Sequence, residues 1–370
     1  MRSPVASSTA WRAARGLGRA LAVLGGLAGA GALATTVAGL AARAVPPSTL
    51  WWPQLAALVL PVAAPVAGAV GGGWAVYAFR SRRAWAWAMA VAHLAAAGAP
   101  LVRASERTAR AGDGPGMRVL TLNAAYSQRG RVDAIAARFS DFNPHVVGVQ
   151  EVGIRPGKEP GTWSAQGAPL ALLQNAEYEL AALDGASETG GLLSADGTAL
   201  FSRLPMSRSA LSRLATTGDP QSGRYTRTEL MWEGQPVAVY NVHFRSFEAP
   251  RPWKGEASWW AAARATREDF VAREAEARVL RRALDAEPLP FVVLGDFNAT
   301  PDQWSYSHVA AGQIDALGPG YWRATYPDDR PLVRIDAVLA SVEWSVRVAD
   351  ILPAGLSDHR AVTAELVLAP

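Results

Sequence analysis

The chain has 370 residues, half of them hydrophobic, with no cysteine and a formal charge of +4; the length exceeds one ordinary domain, and the lack of cysteine excludes disulfides and thiolate metal sites. Residues 1–112 carry eleven Arg and one acidic residue, Glu106, whereas the other 258 residues hold 25 Lys+Arg against 31 Asp+Glu. The positive charge therefore belongs to the N-terminal third, and the mildly acidic remainder argues against a broad basic surface for non-specific nucleic-acid binding while leaving a local basic groove open.

Residues 20–42 form an uncharged run of 23. Residues 50–79 form another of 30, interrupted by Pro53, Pro61 and Pro65, and residues 84–102 a third of 19 with His93 as its one ionisable group. About 20 apolar residues cross a bilayer core, so residues 1–102 read as a membrane region with transmembrane helices over 20–42, 53–79 and 84–102. Trp51, Trp52, Trp74, Trp85 and Trp87 fall at segment ends, where an interfacial aromatic belt would sit. Arg12, Arg15 and Arg19 before the first segment, and Arg80, Arg82 and Arg83 between the second and third, assign those loops to the cytoplasm. The C-terminal domain then lies on the extracytoplasmic side of a multi-pass cell-membrane protein. The triplet Ala42-Arg43-Ala44 allows a second reading, a cleaved signal peptide, which leaves the domain on the same side. His93 reads as a residue at a helix–helix contact rather than a polar pathway. Residues 103–116, polar and ending in Gly and Pro, read as a linker.

The soluble domain spans 117–370. Short apolar runs at 118–122, 145–149, 198–201, 228–232, 236–240, 291–294, 334–340 and 361–368 read as strands. Glu233-Gly234-Gln235 joins two of them as a hairpin. Helices are expected over 132–139 and, lacking Gly and Pro, over 256–286. Strands separated by helices predict a mixed-sheet α/β domain with two packed sheets. Asn123, Glu151, His243 and Asp296 follow the C-terminal ends of their strands, and Asp358-His359 precedes the last strand. All reach one rim if that last strand runs antiparallel. Such a set suits metal-assisted hydrolysis: Mg²⁺ prefers carboxylate, water and phosphate oxygens, while five His and no Cys argue against a zinc cage.

These pieces resemble the endonuclease/exonuclease/phosphatase superfamily, in its order: LTLN at 120–123, VQE at 149–151, FSRLP at 201–205, NVH at 241–243, GDFN at 295–298, RIDAVL at 334–339 and SDH at 357–359. The resemblance covers nearly all of 117–370. It implies a four-layer α/β sandwich of two central mixed β-sheets flanked by helices, here preceded by transmembrane helices, and hydrolysis of phosphoesters with Mg²⁺, or Mn²⁺ in its place. By resemblance, Glu151 is the principal metal ligand, Asn123 orients the metal site, and Asp358 is a direct or outer ligand. Asp296 aligns or deprotonates the attacking water, with Asn298 as its partner. His243 hydrogen-bonds the phosphate, and His359 pairs with Asp336, acting as general base or electrostatic stabiliser. Arg227 is the candidate arginine for the phosphate, with Tyr126 and Tyr225 as candidate tyrosines, and Ser202-Arg203 reads as structural. The aromatic stretch 253–260 is a substrate or membrane platform or part of the core, the core being preferred.

The implied partners are a phosphoester substrate (nucleic acid, lipid headgroup or small phosphodiester) and the lipid bilayer, with no obligate protein partner evident. The alternatives to a membrane-anchored phosphoesterase with a small or lipid substrate are an extracellular nuclease and a non-catalytic membrane sensor or binding module on the same fold. A transporter is disfavoured, because the membrane segments hold almost no charge.

Overall fold

Side-chain alternation along the strands sorts their residues into layers. The computed structural model describes residues 25–104, 112–124, 141–152, 155–156, 163–164, 172, 177–183, 197–214, 223–247, 249–318, 323–352, 355 and 357–369. Its strands are β1 (Gly116–Asn123), β2 (Val146–Gln150), β3 (Arg155–Pro156), β4 (Trp163–Ser164), β5 (Glu179–Leu183), β6 (Thr198–Ser202), β7 (Met206–Arg213), β8 (Arg224–Trp232), β9 (Gln235–His243), β10 (Phe291–Asp296), β11 (Ile314–Asp315), β12 (Asp336–Ala340), β13 (Trp344–Ile351) and β14 (Val362–Leu368). One sheet has the order β13-β14-β1-β2-β6-β5 and the other β11-β12-β10-β9-β8-β7. Both are mixed: β1 runs parallel to β2 and antiparallel to β14, and β10 runs parallel to β9 and antiparallel to β12. The last strand is thus antiparallel, as the rim requires.

Period two separates the layers. Met117 and Val119 of β1, Val237 and Val239 of β9, Val292 and Leu294 of β10, Val338 and Ala340 of β12, and Val362, Ala364 and Leu366 of β14 fill the core between the sheets. Their neighbours in sequence point outward. Tyr240, Val242, Phe291, Val293, Ala337 and Leu339 meet Ala277, Leu280 and Leu284 of the long helix α5 (Trp259–Asp285) and Val309 of α6 (Trp304–Ala310). Ser258 caps α5, its Oγ accepting from Ala261 N at 3.2 Å. On the other outer face, Leu120, Leu122, Val147, Val149 and Phe201 form a third apolar cluster with Leu172 and Tyr178. The helix expected over 132–139 lies outside the described residues. The result is two mixed sheets flanked by helices.

The sheets also meet through polar groups. Gln150 Nε2 donates to Asn241 Oδ1 at 2.6 Å, and Asn241 Nδ2 donates to the Val149 and Ala199 carbonyls at 3.1 and 2.9 Å. The network is satisfied, so it fixes the pairing of the two sheets rather than weakening the core.

The N-terminal helices are α1 (Gly25–Ala41), α2 (Trp52–Leu58), α3 (Leu60–Ser81) and α4 (Ala84–Ala104). Among the described residues, α3 is the helix long and apolar enough to cross a membrane; α1 and the stretch Ala84–Ala99 of α4 are shorter apolar helices. The segment expected as one span over 53–79 is divided at Val59. Pro61 has no N–H for the preceding turn and starts a new helix instead. His93 is buried, with Nε2 3.2 Å from the Gly29 carbonyl and Nδ1 2.8 Å from that of Met89, as expected of a helix–helix contact.

Residues 42–58 dock on the two-sheet domain. The backbone N–H and hydroxyl of Ser48 donate to Glu274 at 2.7 and 2.9 Å. Buried Gln54 donates to the Ala42 and Val45 carbonyls at 3.0 and 3.1 Å, and its Oε1 accepts from Trp304 N at 2.9 Å. Gln303 Nε2 in turn donates to the Gln54 carbonyl at 3.1 Å. Gln54→Ala would strand buried groups on both sides of this joint. It is expected to cost about 1–3 kcal/mol, read as a lower melting temperature of the full chain in detergent.

Candidate active site

The polar rim is the inter-sheet core continued by one or two more residues of the same parity in each strand. Alternation extends Val292 and Leu294 to Asp296, Val237 and Val239 to Asn241 and His243, Val338 back to Asp336, and Val119 to Thr121 and Asn123. Ladder pairing sets these in rows: Asp336 opposite Asp296, Asp296 opposite His243, and His243 opposite Arg224 in one sheet, with Asn123 opposite Gln150 in the other. Glu151 follows Gln150 with φ +51, a conformation that costs a non-glycine residue energy and that clusters at functional sites.

Gly295 permits this row. A Cβ there would sit 2.0 Å from the Val242 carbonyl oxygen of the parallel neighbour β9. Gly295→Ala must part β9 from β10 beside His243 and Asp296. An overpacking cost of about 1–3 kcal/mol or more is expected, visible in thermal unfolding together with reduced activity.

One amide joins the sheets at the base of the cleft. Asn123 Nδ2 donates to Glu151 Oε1 at 2.9 Å and to Asp296 Oδ2 at 3.0 Å. His243 Nε2 lies 3.7 Å from Glu151 Oε1 and 3.8 Å from Asp296 Oδ2, buried and with no hydrogen-bond partner. The other oxygen of Asp296 accepts from Asn298 N at 2.8 Å, while Asn298 Nδ2 donates to the Phe244 carbonyl at 2.9 Å and pins the chain leaving β9. Burial, with the Asp336 carboxylate adding to it, raises the pKa of Asp296 against the pull of His359 and His243.

His359 Nδ1 faces both Asp336 oxygens, at 3.0 and 3.2 Å. Burial opposes its charge, but the Asp336 carboxylate overcomes this and pushes the imidazole up to about 10. Donor atoms of Asp296, Asp336 and His359 lie within 4.8 Å of one another. Asp336 is engaged by His359, so this trio is an ion pair beside a second carboxylate, that of Asp296. A cation is better served by the cavity of about 350 Å³ that Glu151, Asp296 and Asp358 line from three different elements together with Asn298 and His359. These are oxygen donors, the chemistry that suits a hard divalent ion.

Eight residues singled out in the sequence come together at this rim: Asn123, Glu151, His243, Asp296, Asn298, Asp336, Asp358 and His359. Arg227 does not. It belongs to the outward-facing set of β8, opposite Tyr240, and its guanidinium donates to Glu287 at 2.7 and 2.9 Å. Parity puts Arg224, not Arg227, on the inter-sheet face. Tyr225 also points outward, with its ring 5.7 Å from that of Tyr240, and Tyr126 lies outside the described residues. Ser202 Oγ accepts from Leu204 N at 2.9 Å, a structural turn as expected. Two residues of the cleft carry no strand signal. Tyr326, from a loop, places its ring 4.7 Å from the His359 ring. Arg273, buried within α5, lines the cavity with its guanidinium 5.0 Å from the Phe270 ring centre and 5.7 Å from that of Phe247. The aromatic stretch is not core: Trp253, Trp259 and Trp260 are 69%, 72% and 84% exposed.

Comparison with curated proteins finds no match. Among solved structures, the chain is similar to an endonuclease/exonuclease/phosphatase family protein from Leptotrichia buccalis (15% identity over 68% of this chain and 99% of that one, TM-score 0.48). It is also similar to the mannosyl-6-phosphatase of Bacteroides thetaiotaomicron (16%, 68% and 100%, TM-score 0.49) and to the human Nocturnin catalytic domain with bound sulfate (19%, 69% and 94%, TM-score 0.49). The family model described as Endonuclease/Exonuclease/phosphatase family matches residues 120–359, from the strand that carries Asn123 to His359 itself. The chain belongs to the endonuclease/exonuclease/phosphatase family.

Proposed function

We propose that the protein is a membrane-anchored, Mg²⁺-dependent phosphoesterase whose catalytic domain lies on the extracytoplasmic side. The observation that carries the reading is the Asn123 amide joining Glu151 and Asp296 from opposite sheets, with the unpartnered Nε2 of His243 beside both. Glu151, with Asn123 and Asp358, would hold the cation, which supplies Lewis-acid polarisation of the phosphate. Asp296 orients the attacking water and takes its proton, a role favoured by surroundings that raise its basicity. The N–H of Asn298 fixes one oxygen of that carboxylate and leaves the other toward Asn123. His243 Nε2 is a donor held ready for a phosphoryl oxygen as charge develops. Asp336 orients the ring of His359 and sustains its charge, leaving the Nε2 N–H for the substrate.

The anchoring rests on α3 and on the docked segment before it. Ser48 and Gln54 bind the catalytic domain at the N-terminal end of α3, whereas Arg80, Arg82 and Arg83 lie at its far end, 22 helical residues or about 33 Å away. That spacing matches a bilayer core with the arginines on the cytoplasmic side. The test of the function is a panel of bis-p-nitrophenyl phosphate, plasmid DNA, RNA and phospholipid vesicles, incubated with the full chain in Mg²⁺ or in EDTA. Metal-dependent hydrolysis of at least one is expected, and none on any substrate refutes it. For the topology, protease added to intact cells should cut the catalytic domain; complete protection would place it inside.

A further inference from the structure

The active-site cavity has a neighbour. An apolar cavity of about 780 Å³ lies between the membrane-proximal helix α2 and the segment after β9, lined on one side by Trp51, Leu55 and Leu58 and on the other by Phe247, Trp253 and Trp259. Leu58 and Phe247 line both this cavity and the one holding Glu151, Asp296 and His359. The two spaces are therefore adjoining parts of one groove, polar at the catalytic end and apolar at the other. The volume falls in the range of ligand sites, about 300–1,000 Å³.

The groove is open, and its apolar walls face outward: Leu55, Phe247, Trp253 and Trp259 are all exposed. Exposed apolar surface on this scale marks a binding or membrane surface. Its position favours the membrane. Leu58 is separated from Leu60, the first residue of the spanning helix α3, by Val59 alone. The Trp pair at 51–52 and those at 253, 259 and 260 then lie near the level at which α3 enters the bilayer, where Trp is favoured. The exposed ion pair between Arg251 and Glu256, 2.8 Å from Arg251 Nη2 to Glu256 Oε1, closes the turn that presents Trp253. At the inner end, buried Arg273 lines the catalytic cavity against Phe247, a cation where an apolar wall gives way to the phosphate site.

We propose that this groove receives the apolar chain of a bilayer lipid whose phosphoester reaches the catalytic cleft, so that the substrate is a membrane lipid phosphoester drawn laterally from the leaflet. The inference rests on the phosphoesterase reading above and narrows it. A nucleic acid lying across the rim would have to pass Leu58 and the bilayer beneath it, whereas an amphipathic lipid matches both ends of the groove at once.

The experiment reconstitutes the full chain in vesicles of phosphatidylcholine, phosphatidylethanolamine, phosphatidylglycerol and phosphatidylinositol doped with a polyisoprenyl phosphate. Phosphoester hydrolysis is followed by ³¹P NMR beside hydrolysis of soluble bis-p-nitrophenyl phosphate. A vesicle lipid should be consumed in Mg²⁺. The double variant Trp253→Ser/Trp259→Ser, whose exposed positions spare the fold, should lower the ratio of lipid to soluble-substrate turnover by about tenfold or more at an unchanged melting temperature. Soluble turnover with no lipid consumed, or a ratio indifferent to the double variant, overturns the groove proposal and leaves the phosphoesterase standing. No metal-dependent hydrolysis of either substrate overturns both.

Discussion

Glu151→Gln is expected to reduce phosphodiester turnover by more than about 100-fold, since even the outer-shell partners of metal ligands are worth about 10- to 100-fold. The substitution conserves shape and leaves an oxygen able to accept from Asn123 Nδ2, which now donates to Glu151 Oε1 at 2.9 Å. What it removes is the charge. The melting temperature should therefore move by no more than a few degrees while activity collapses, and the Mg²⁺ concentration for half-maximal rate should rise. A variant that keeps its rate and its Mg²⁺ dependence would remove Glu151 from the cation site.

Asp296→Asn should cost about 10²- to 10⁴-fold in kcat, the range for loss of a positioned general base. Both Asp296 oxygens accept hydrogen bonds, from Asn123 Nδ2 and Asn298 N. An asparagine can accept from only one of these donors, so one bond is lost. Against that loss stands relief from burying a carboxylate beside Asp336, the same burial and repulsion that raise its pKa. The two effects oppose each other, and the change in thermal stability should be small beside the change in kcat. The substrate KM should rise little, because the carboxylate acts on water rather than on the phosphate. A large KM effect with an intact kcat would instead make Asp296 a binding residue.

Much of this site was legible because each catalytic strand is a short apolar run that ends abruptly in a polar residue. In β10, Phe291 to Leu294 are buried on both faces, and the polarity of Asp296 has no explanation within the core; the same holds for Asn123 after Leu122 and His243 after Val242. Arg227 misled because strand membership says nothing about face until the register is known. Counting in twos from His243's partner Arg224 would have assigned it to the outer face. Tyr326 and Arg273 were hidden for a different reason. A loop and a long amphipathic helix carry no local signal that one of their side chains turns toward a distant rim.

The edges of the sheets were also hard to read. The strands β7 and β13 lack a continuous apolar run, and β13 alternates only loosely between partly buried and exposed residues; each is fixed by its ladder to a central neighbour. The tryptophans at 253 and 259 illustrate a further limit. Hydrophobicity alone does not distinguish a side chain covered by protein from one left exposed, and the preference for core failed there. The undivided span at 53–79 failed at Val59, where Pro61 splits the run into a docking helix and the helix long enough to cross a bilayer.

The central claim is that strand ends of two sheets form one divalent-cation site for phosphoester hydrolysis. It is tested most directly by the rate of bis-p-nitrophenyl phosphate hydrolysis by the full chain in nanodiscs, stripped with EDTA and then titrated with Mg²⁺. The predicted result is no turnover in EDTA, saturable recovery with Mg²⁺, and no comparable recovery in Glu151→Gln at the concentration that saturates the parent. Turnover that persists in EDTA, or superimposable titrations for the two proteins, would contradict it.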